Sequence, residues 1–401
     1  MQRSANNNNG PLKGVKILDL STAFSGPVCT TLLCDQGAEV IRIENVGMGE
    51  VTRYSGAGRN GMTGLFHLAN RGKRSLALNM KSARGIEIVK KLIIKSDVVV
   101  QNFRHGAVER LGIDYDSVII INPNIIYLSI TGYGPHGPLA KQPAYDNVMQ
   151  AFTGFADLER TVQSPEPTLV QNMVVDKVTA LNSAQAICAA LFARANNGGG
   201  QHVQLSMMDC AANFLWLDSA MEMALPGEGT VSAVSPAKKA NIMHFKNGAA
   251  SISPILDQAF HTMCEVLEVD GSDPRLKTSV DRIRNTDIHN AIKRQWSENA
   301  LLMDIDQVID KLQVRNVPCA KVQSIVDLVE HAQSKAVDLF QHTIHPVMGE
   351  FIEPRPAALF SKTESAIGHG APTLGQHTDK ILEELGMENE IADLRELGII
   401  Q

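Results

Sequence analysis

The apolar positions of the first two hundred residues fall into short, β-branched runs separated by helix-like stretches. Val15-Lys16-Ile17-Leu18-Asp19-Leu20 reads as a strand, followed by a Gly26-Pro27 turn and a helix that runs through Leu33 and stops at Gly37. Glu39–Ile43, Ser75–Leu78, Asp97–Val100 and Ile125–Ile130 repeat the strand pattern, with a helix over 83–95. Runs of this length, alternating with helices, predict a mostly parallel, doubly wound α/β sheet. A longer Ala- and Leu-rich helix follows over 177–194, then Gly198-Gly199-Gly200, a strand over 202–206 and a helix over 208–225. Residues 226–240 mix Gly, Ser and Pro and predict a linker. Residues 241–330 read as a smaller α+β unit, with helices over 258–267 and 304–312 and a last strand after Val317-Pro318-Cys319-Ala320. From 331 the chain is loop-rich, and it closes with short helices over 379–384 and 390–397.

Asp176 ends the apolar run Met173-Val174-Val175 and opens the long helix. Read locally it is an N-cap, a position that favours Asp. The free N–H groups and positive dipole end there would also keep the carboxylate ionised and fixed in orientation, as a nucleophile requires.

Composition narrows the partners. The 401 residues are 44% hydrophobic and 20% charged, as in an ordinary globular protein. Thirty-seven basic against 43 acidic residues give a net charge of −6, so no general attraction to nucleic acid or an anionic membrane is expected. No apolar run approaches a membrane span, and the Asn-rich start has no apolar core of a secretory signal. The six cysteines, at 29, 34, 188, 210, 264 and 319, show no CxxC pair and read as reduced thiols. A cytoplasmic protein is expected. The twelve histidines form no HExxH-type motif, so no metal is expected.

Ser21-Thr22-Ala23-Phe24-Ser25-Gly26 stands after the first strand in place of GxGxxG, and neither GxxxxGK[ST] nor GxSxG occurs. Dinucleotide, nucleoside triphosphate and serine-hydrolase chemistry therefore lack their signatures. Polar residues do gather where strands end, the place where open α/β sheets bind ligands. These are Asn102-Phe103-Arg104, Tyr133, Lys73-Arg74, Lys81, and Arg110 about two turns into a helix starting near Gly106. Arg and Lys so placed suit phosphates, although each taken singly also fits as solvated charge.

Together these segments resemble family III coenzyme A transferases, the group that includes formyl-CoA transferase and carnitine CoA-transferase. The matching pieces include Pro11–Leu20, Gly26-Pro27, Gly37–Glu44, Asn70–Ser75, Asp97–Gly106, Thr131–Gly134, Tyr145-Asp146, His345–Gly349 and Ala371–Thr378. The resemblance implies a Rossmann-like large domain over 11–225, a small α+β domain over 226–330 and a segment over 331–401 returning to the large domain. It implies chains interlocked in a homodimer. It also implies Asp176 as the nucleophile that moves CoA from an acyl-CoA to a carboxylic acid, through aspartyl anhydride and aspartyl-CoA thioester intermediates. CoA is then a substrate and nothing is permanently bound. By motif position its contacts would be Phe24, Ser25, Asn45, Leu78, Lys81, Asn102, Phe103, Arg104, Arg110, Tyr145 and Asp146.

The α-methylacyl-CoA racemases share this fold and pair the Asp with a His, where this chain has Tyr145, a poor base at neutral pH. Racemase or epimerase activity, and CoA binding without catalysis, are the alternatives. Formyl-CoA transferase carries Gln where Phe24 stands, and it has a glycine run where this chain offers only Gly227-Glu228-Gly229 and Gly248. Lys238 and Lys239 are candidates for the far end of a dicarboxylate, or solvated charge.

Overall fold

The computed structural model describes residues 9–161, 164–231, 235 and 242–401. Lys238 and Lys239 lie outside them. Two compact units are present: one runs to Leu217 and resumes over Asp338–Gln401, and the other is Asp218–Val337.

In the first unit the elements follow in order: β1 (Lys16–Asp19), α1 (Ser25–Asp35), β2 (Glu39–Glu44), a short ladder of β3 (Gly58–Arg59) and β4 (Met62–Thr63), α2 (Gly64–Asn70), β5 (Arg74–Ala77), α3 (Ala83–Ile94), β6 (Val98–Gln101), α4 (Ala107–Leu111), α5 (Tyr115–Ile121), β7 (Ile126–Thr131), α6 (Asp146–Thr153), α7 (Phe155–Leu158), α8 (Val174–Asn197), β8 (Gln201–Ser206) and α9 (Met207–Ser219). Six strands form one sheet in the order β5-β2-β1-β6-β7-β8, with every pair parallel. The expected parallel α/β sheet is present, and its progression reverses between β1 and β6. That reversal is the switch point where doubly wound sheets open a crevice at the carboxyl ends of their strands.

β6 and β7 read as mostly apolar runs because both faces are covered. Leu18, Leu76, Val99 and Tyr127 face one side, against Ile88, Val89 and Leu92 of α3. Ile17, Val40, Val98, Val100 and Leu128 alternate with them and face Cys29 and Leu33 of α1 and Ala180, Ala184 and Ile187 of α8. Gly200 must be glycine, since a Cβ there would lie 2.1 Å from the carbonyl oxygen of Ile125.

The resumed segment, Asp338–Gln401, completes this unit. Ile381, Leu382, Leu394, Ile399 and Ile400 enter the core on the α3 face. Leu78 bridges Ile400 in antiparallel fashion, and the N–H of Asn79 donates to the carbonyl of Ile399 at 2.8 Å. The stretch after 331, which reads as loop, instead holds a helix over Ala332–Ala336 and a hairpin of Phe340–His345 with Gly349–Pro354. Only the last residue of that hairpin's first strand is buried, so it lacks the apolar alternation that announces a strand.

The second unit has an antiparallel sheet, β9 (Ile242–Phe245), β10 (Gly248–Ile252) and β11 (Cys319–Lys321), in the order β11-β10-β9. Helices over Asp257–Val266, Ser279–Arg284, Thr286–Ala300 and Ile305–Val314 pack with it around Phe260, Met263, Trp296 and Leu312. The expected helix over 208–225 ends earlier, at Ser219. The Gly26-Pro27 pair lies inside the first turn of α1 and not before it, where a missing proline N–H costs no helical bond.

Candidate active site around Asp176

Asp176 is not the cap of its helix. The helix begins at Val174 with Met173 ahead of it, so Asp176 stands in the first turn. The capping is done from elsewhere: the N–H of Asp176 donates to Oδ1 of Asp146 at 3.0 Å. Asp146 opens α6, and its Oδ2 accepts from Nε2 of Gln150 at 2.6 Å. Gln150 also binds the N–H of Val170 and the carbonyl of Asn172, which fixes the approach to α8.

The carboxylate of Asp176 points away from this cap. It is 8% exposed, and its Oδ1 accepts a hydrogen bond from Oγ of Ser25, the first residue of α1. Among the described residues no side chain hydrogen-bonds to Oδ2. Burial pushes the carboxyl up to about 6, against the pull of the Ser25 hydroxyl, and the neighbouring Asp146 charge adds to the rise. Lost hydration thus works against the ionisation that a helix start favours. The six cysteines are unpaired, and burial raises all six thiols, Cys264 to about 11, so none is a ready nucleophile.

The loop from β1 to α1 delivers Ser25, and it is held residue by residue. The N–H of Ser21 donates to Oδ1 of Asp19 at 2.9 Å. Asn102, just after β6, brackets Thr22: its Oδ1 accepts from the Thr22 N–H and its Nδ2 donates to the Thr22 carbonyl, both at 2.8 Å. The N–H of Ala23 donates to Oε1 of Glu50 at 3.1 Å. Ala23 has φ +61°, a left-handed conformation that a non-glycine residue adopts only when its surroundings impose it. Gly26 must lack a side chain, because a Cβ there would meet the Cβ and Oγ of Ser21 at 2.3 Å.

Beneath the loop lies a buried ionic cluster. Arg42 spans Oδ2 of Asp19 at 3.3 Å and Oε2 of Glu50 at 3.0 Å. Lys73, expected as a phosphate contact, is instead fully buried: it donates to Asp19, Asn70 and the carbonyls of Pro27 and Ala69. Burial brings Lys73 down to about 8, while burial's upward push on Asp19 is overcome by Lys73 and Arg42, which hold it far below the usual range. Arg74 pairs with Glu384.

The remaining candidates divide clearly. Ser25, Asp146 and Asp176 are in contact. Asn102 is tied to Thr22 through both ends of its amide and so holds the loop, with a second Nδ2 hydrogen not used in those bonds. Leu78 is fully buried in the core, which removes its side chain as a ligand contact. Phe24 and Phe103 are half-buried, on the loops after β1 and β6. Asn45, after β2, and Lys81, before α3, are exposed, as are Arg104 and Arg110. Arg110 sits in the last turn of α4, a five-residue helix, and not two turns into a longer one. Tyr145 precedes α6 and is 63% exposed, while Tyr133 packs edge-on against Phe152. Glu50 and Gln150 also belong to this site, and their only local sequence signal is a polar residue beside a turn or within a helix. Among the described residues no cluster of His, Cys, Asp or Glu is placed to hold a metal, and no helix is long and apolar enough to cross a membrane.

A protein-family model described as CoA-transferase family III matches residues 12–378. An acyl-CoA transferase of Fusarium pseudograminearum is 33% identical, across 99% of this chain and 90% of its own length. The succinyl-CoA:glutarate CoA-transferase of Homo sapiens is 30% identical, across 98% of this chain and 91% of its own. The crystal structure of a CAIB/BAIF family protein from Brucella suis matches with a TM-score of 0.80 at 29% identity, covering 94% of this chain and 100% of that one. A single likeness thus runs through both units and through the loop that holds Ser25 against Asp176: the chain belongs to CoA-transferase family III.

Proposed function

We propose that this enzyme moves CoA reversibly from an acyl-CoA donor to a carboxylic acid acceptor, with Asp176 as the covalent nucleophile. The observation that supports this best is the Asp176 carboxylate itself, nearly buried, anchored through Oδ1 and leaving Oδ2 without a side-chain partner among the described residues. Oδ2 attacks the donor thioester carbonyl and expels CoA thiolate, leaving an acyl-aspartyl anhydride. The thiolate attacks the aspartyl carbonyl and releases the donor acid, which gives an aspartyl-CoA thioester. The acceptor carboxylate attacks in turn, and the returning thiolate takes the acceptor acyl group and frees Asp176. The covalent route keeps the energy of the thioester out of water.

The large domain, 11–225, would hold CoA along the carboxyl ends of β1, β2 and β6, with 226–330 the small domain and 331–401 rejoining the large one. Arg104, Arg110 and Lys81 are exposed and suit its phosphates; Phe24 and Phe103 suit the adenine or the pantetheine arm. Asn45 and Tyr145 are exposed beside that path. The chains would interlock as a homodimer, a reading supported by exposed apolar side chains on α6, α8 and α9.

The test is mass spectrometry of the peptide holding Asp176 after incubation with acyl-CoAs, beginning with succinyl-CoA and with glutarate as acceptor. Asp176 gains an adduct, and Asp176→Ala loses both adduct and exchange. Exchange at the wild-type rate in Asp176→Ala, or no adduct with any donor that exchanges, overturns the reading. Deuterium wash-in at the α-carbon of a 2-methylacyl-CoA without acceptor would move the assignment to a racemase.

A further inference from the structure

We propose that Ser25 is a second catalytic residue, whose hydroxyl stabilises the oxyanion formed on Oδ1 of Asp176 when the aspartyl carbonyl is attacked. The inference rests on the reading of Asp176 as nucleophile and supplies a donor for its tetrahedral intermediates.

The geometry divides the two oxygens of Asp176. Ser25 Oγ donates to Oδ1, and among the described residues no other side chain hydrogen-bonds to that carboxylate. Oδ2 is therefore the oxygen that attacks and becomes the bridging atom of the anhydride, while Oδ1 becomes the carbonyl oxygen. When CoA thiolate attacks Cγ, a C–S bond forms and the π pair moves onto Oδ1. The Ser25 O–H already points at that atom and keeps its proton throughout. Collapse restores the Cγ=Oδ1 bond, breaks the bond from Cγ to Oδ2, and releases the donor acid. That acid carries Oδ2 away with it; the acceptor carboxylate replaces it when it attacks Cγ and expels CoA thiolate through the same oxyanion.

Two independent features reinforce this donor. Ser25 is the first residue of the 11-residue α1, and its own N–H also interacts with the Asp176 carboxylate, so the helix's positive end lies beside that group. Pro27 brings no N–H, which leaves Ser25 and Gly26 to supply the donors at that end. The Asp19, Asn102 and Glu50 bonds to Ser21, Thr22 and Ala23 fix the loop in advance, so the donor needs no reorganisation as charge develops. A hydrogen bond to a neutral carbonyl strengthens as that oxygen becomes an anion, the differential that accelerates a step.

The hydroxyl acts on the two attacks at Cγ and not on the attack at the donor's own carbonyl. Ser25→Ala should therefore lower the exchange kcat by roughly 10²- to 10³-fold, the usual loss for one oxyanion donor. Intact-protein mass spectrometry after rapid quenching with acyl-CoA should show wild type as the CoA adduct and Ser25→Ala held as the acyl adduct. Ser25→Thr keeps the hydroxyl and should stay within about tenfold of wild type by the same comparison. Exchange in Ser25→Ala at the wild-type rate overturns the inference. So does a slowed Ser25→Ala that leaves acyl-adduct formation as the impaired step, since a merely structural hydroxyl would act there. Asp176 labelled in wild type with either result sinks the Ser25 role alone; no label in wild type sinks the nucleophile reading.

Discussion

With its carboxyl raised to about 6, Asp176 is an anion in most molecules at pH 7 and in only about a tenth of them at pH 5. Exchange measured as kcat/KM should therefore fall about tenfold per pH unit below 6, reporting the free enzyme. The same shift bears on stability. Between the ordinary aspartate value of 3.8 and about 6 the folded chain holds a proton that the unfolded chain has released, so folding loses stability as pH rises through that window. At pH 7 the cost is on the order of 3 kcal/mol. Asp176→Asn should recover much of it, being more stable than wild type in urea at pH 7 with the gap closing near pH 4. An equal gap at both pH values would refute this. The sequence marks a carboxylate at a helix start, which is a local property. It gives no sign that Ser25, 151 residues away, reaches this carboxylate, because only the tertiary contact of α1 with α8 joins them.

The loop between β1 and α1 is held chiefly by residues on other elements. Asn102 contributes two hydrogen bonds to Thr22, and losing bonds of this kind costs about 1 kcal/mol each. Asn102→Ala should lower kcat about tenfold, leave KM for CoA nearly unchanged and reduce Tm only slightly. A variant that raises KM with kcat intact would show that Asn102 contacts CoA directly. Strands β1, β2, β5, β6 and β7 are legible in sequence because each keeps a short run of buried, mostly apolar residues. The bracket is not legible, since Asn102 and Glu50 look like any polar residues after a strand. Lys73 shows the opposite error: a cation beside a strand end reads as a phosphate ligand, but the Asp19 charge that neutralises it is 54 residues away.

Across the molecule, large apolar side chains stay exposed where three helices of one unit meet solvent: Phe152 on α6, Leu181 and Phe192 on α8, and Phe214, Trp216 and Leu217 on α9. Scattered single exposures need no explanation, and these six are the candidates for a face that a second chain would cover. The enzyme should sediment as two chains down to nanomolar concentration. Phe192→Glu combined with Leu217→Glu should give single chains or insoluble protein, and a wild type that sediments as one chain would discard the dimer. The helical pattern of 379–397 is visible in sequence, but its destination is not, since the strand edge it meets at Leu78 lies some three hundred residues earlier. That return also has a consequence for how the protein is made. While a ribosome is still reading, the sheet lacks Ile381, Leu382, Leu394 and Ile399, and the α3 side of its core lies open. The unit that starts first must finish last, after Asp218–Val337 has emerged whole and has had time to fold. During that delay the growing chain presents an unfinished apolar face, the kind of surface that chaperones shield from aggregation.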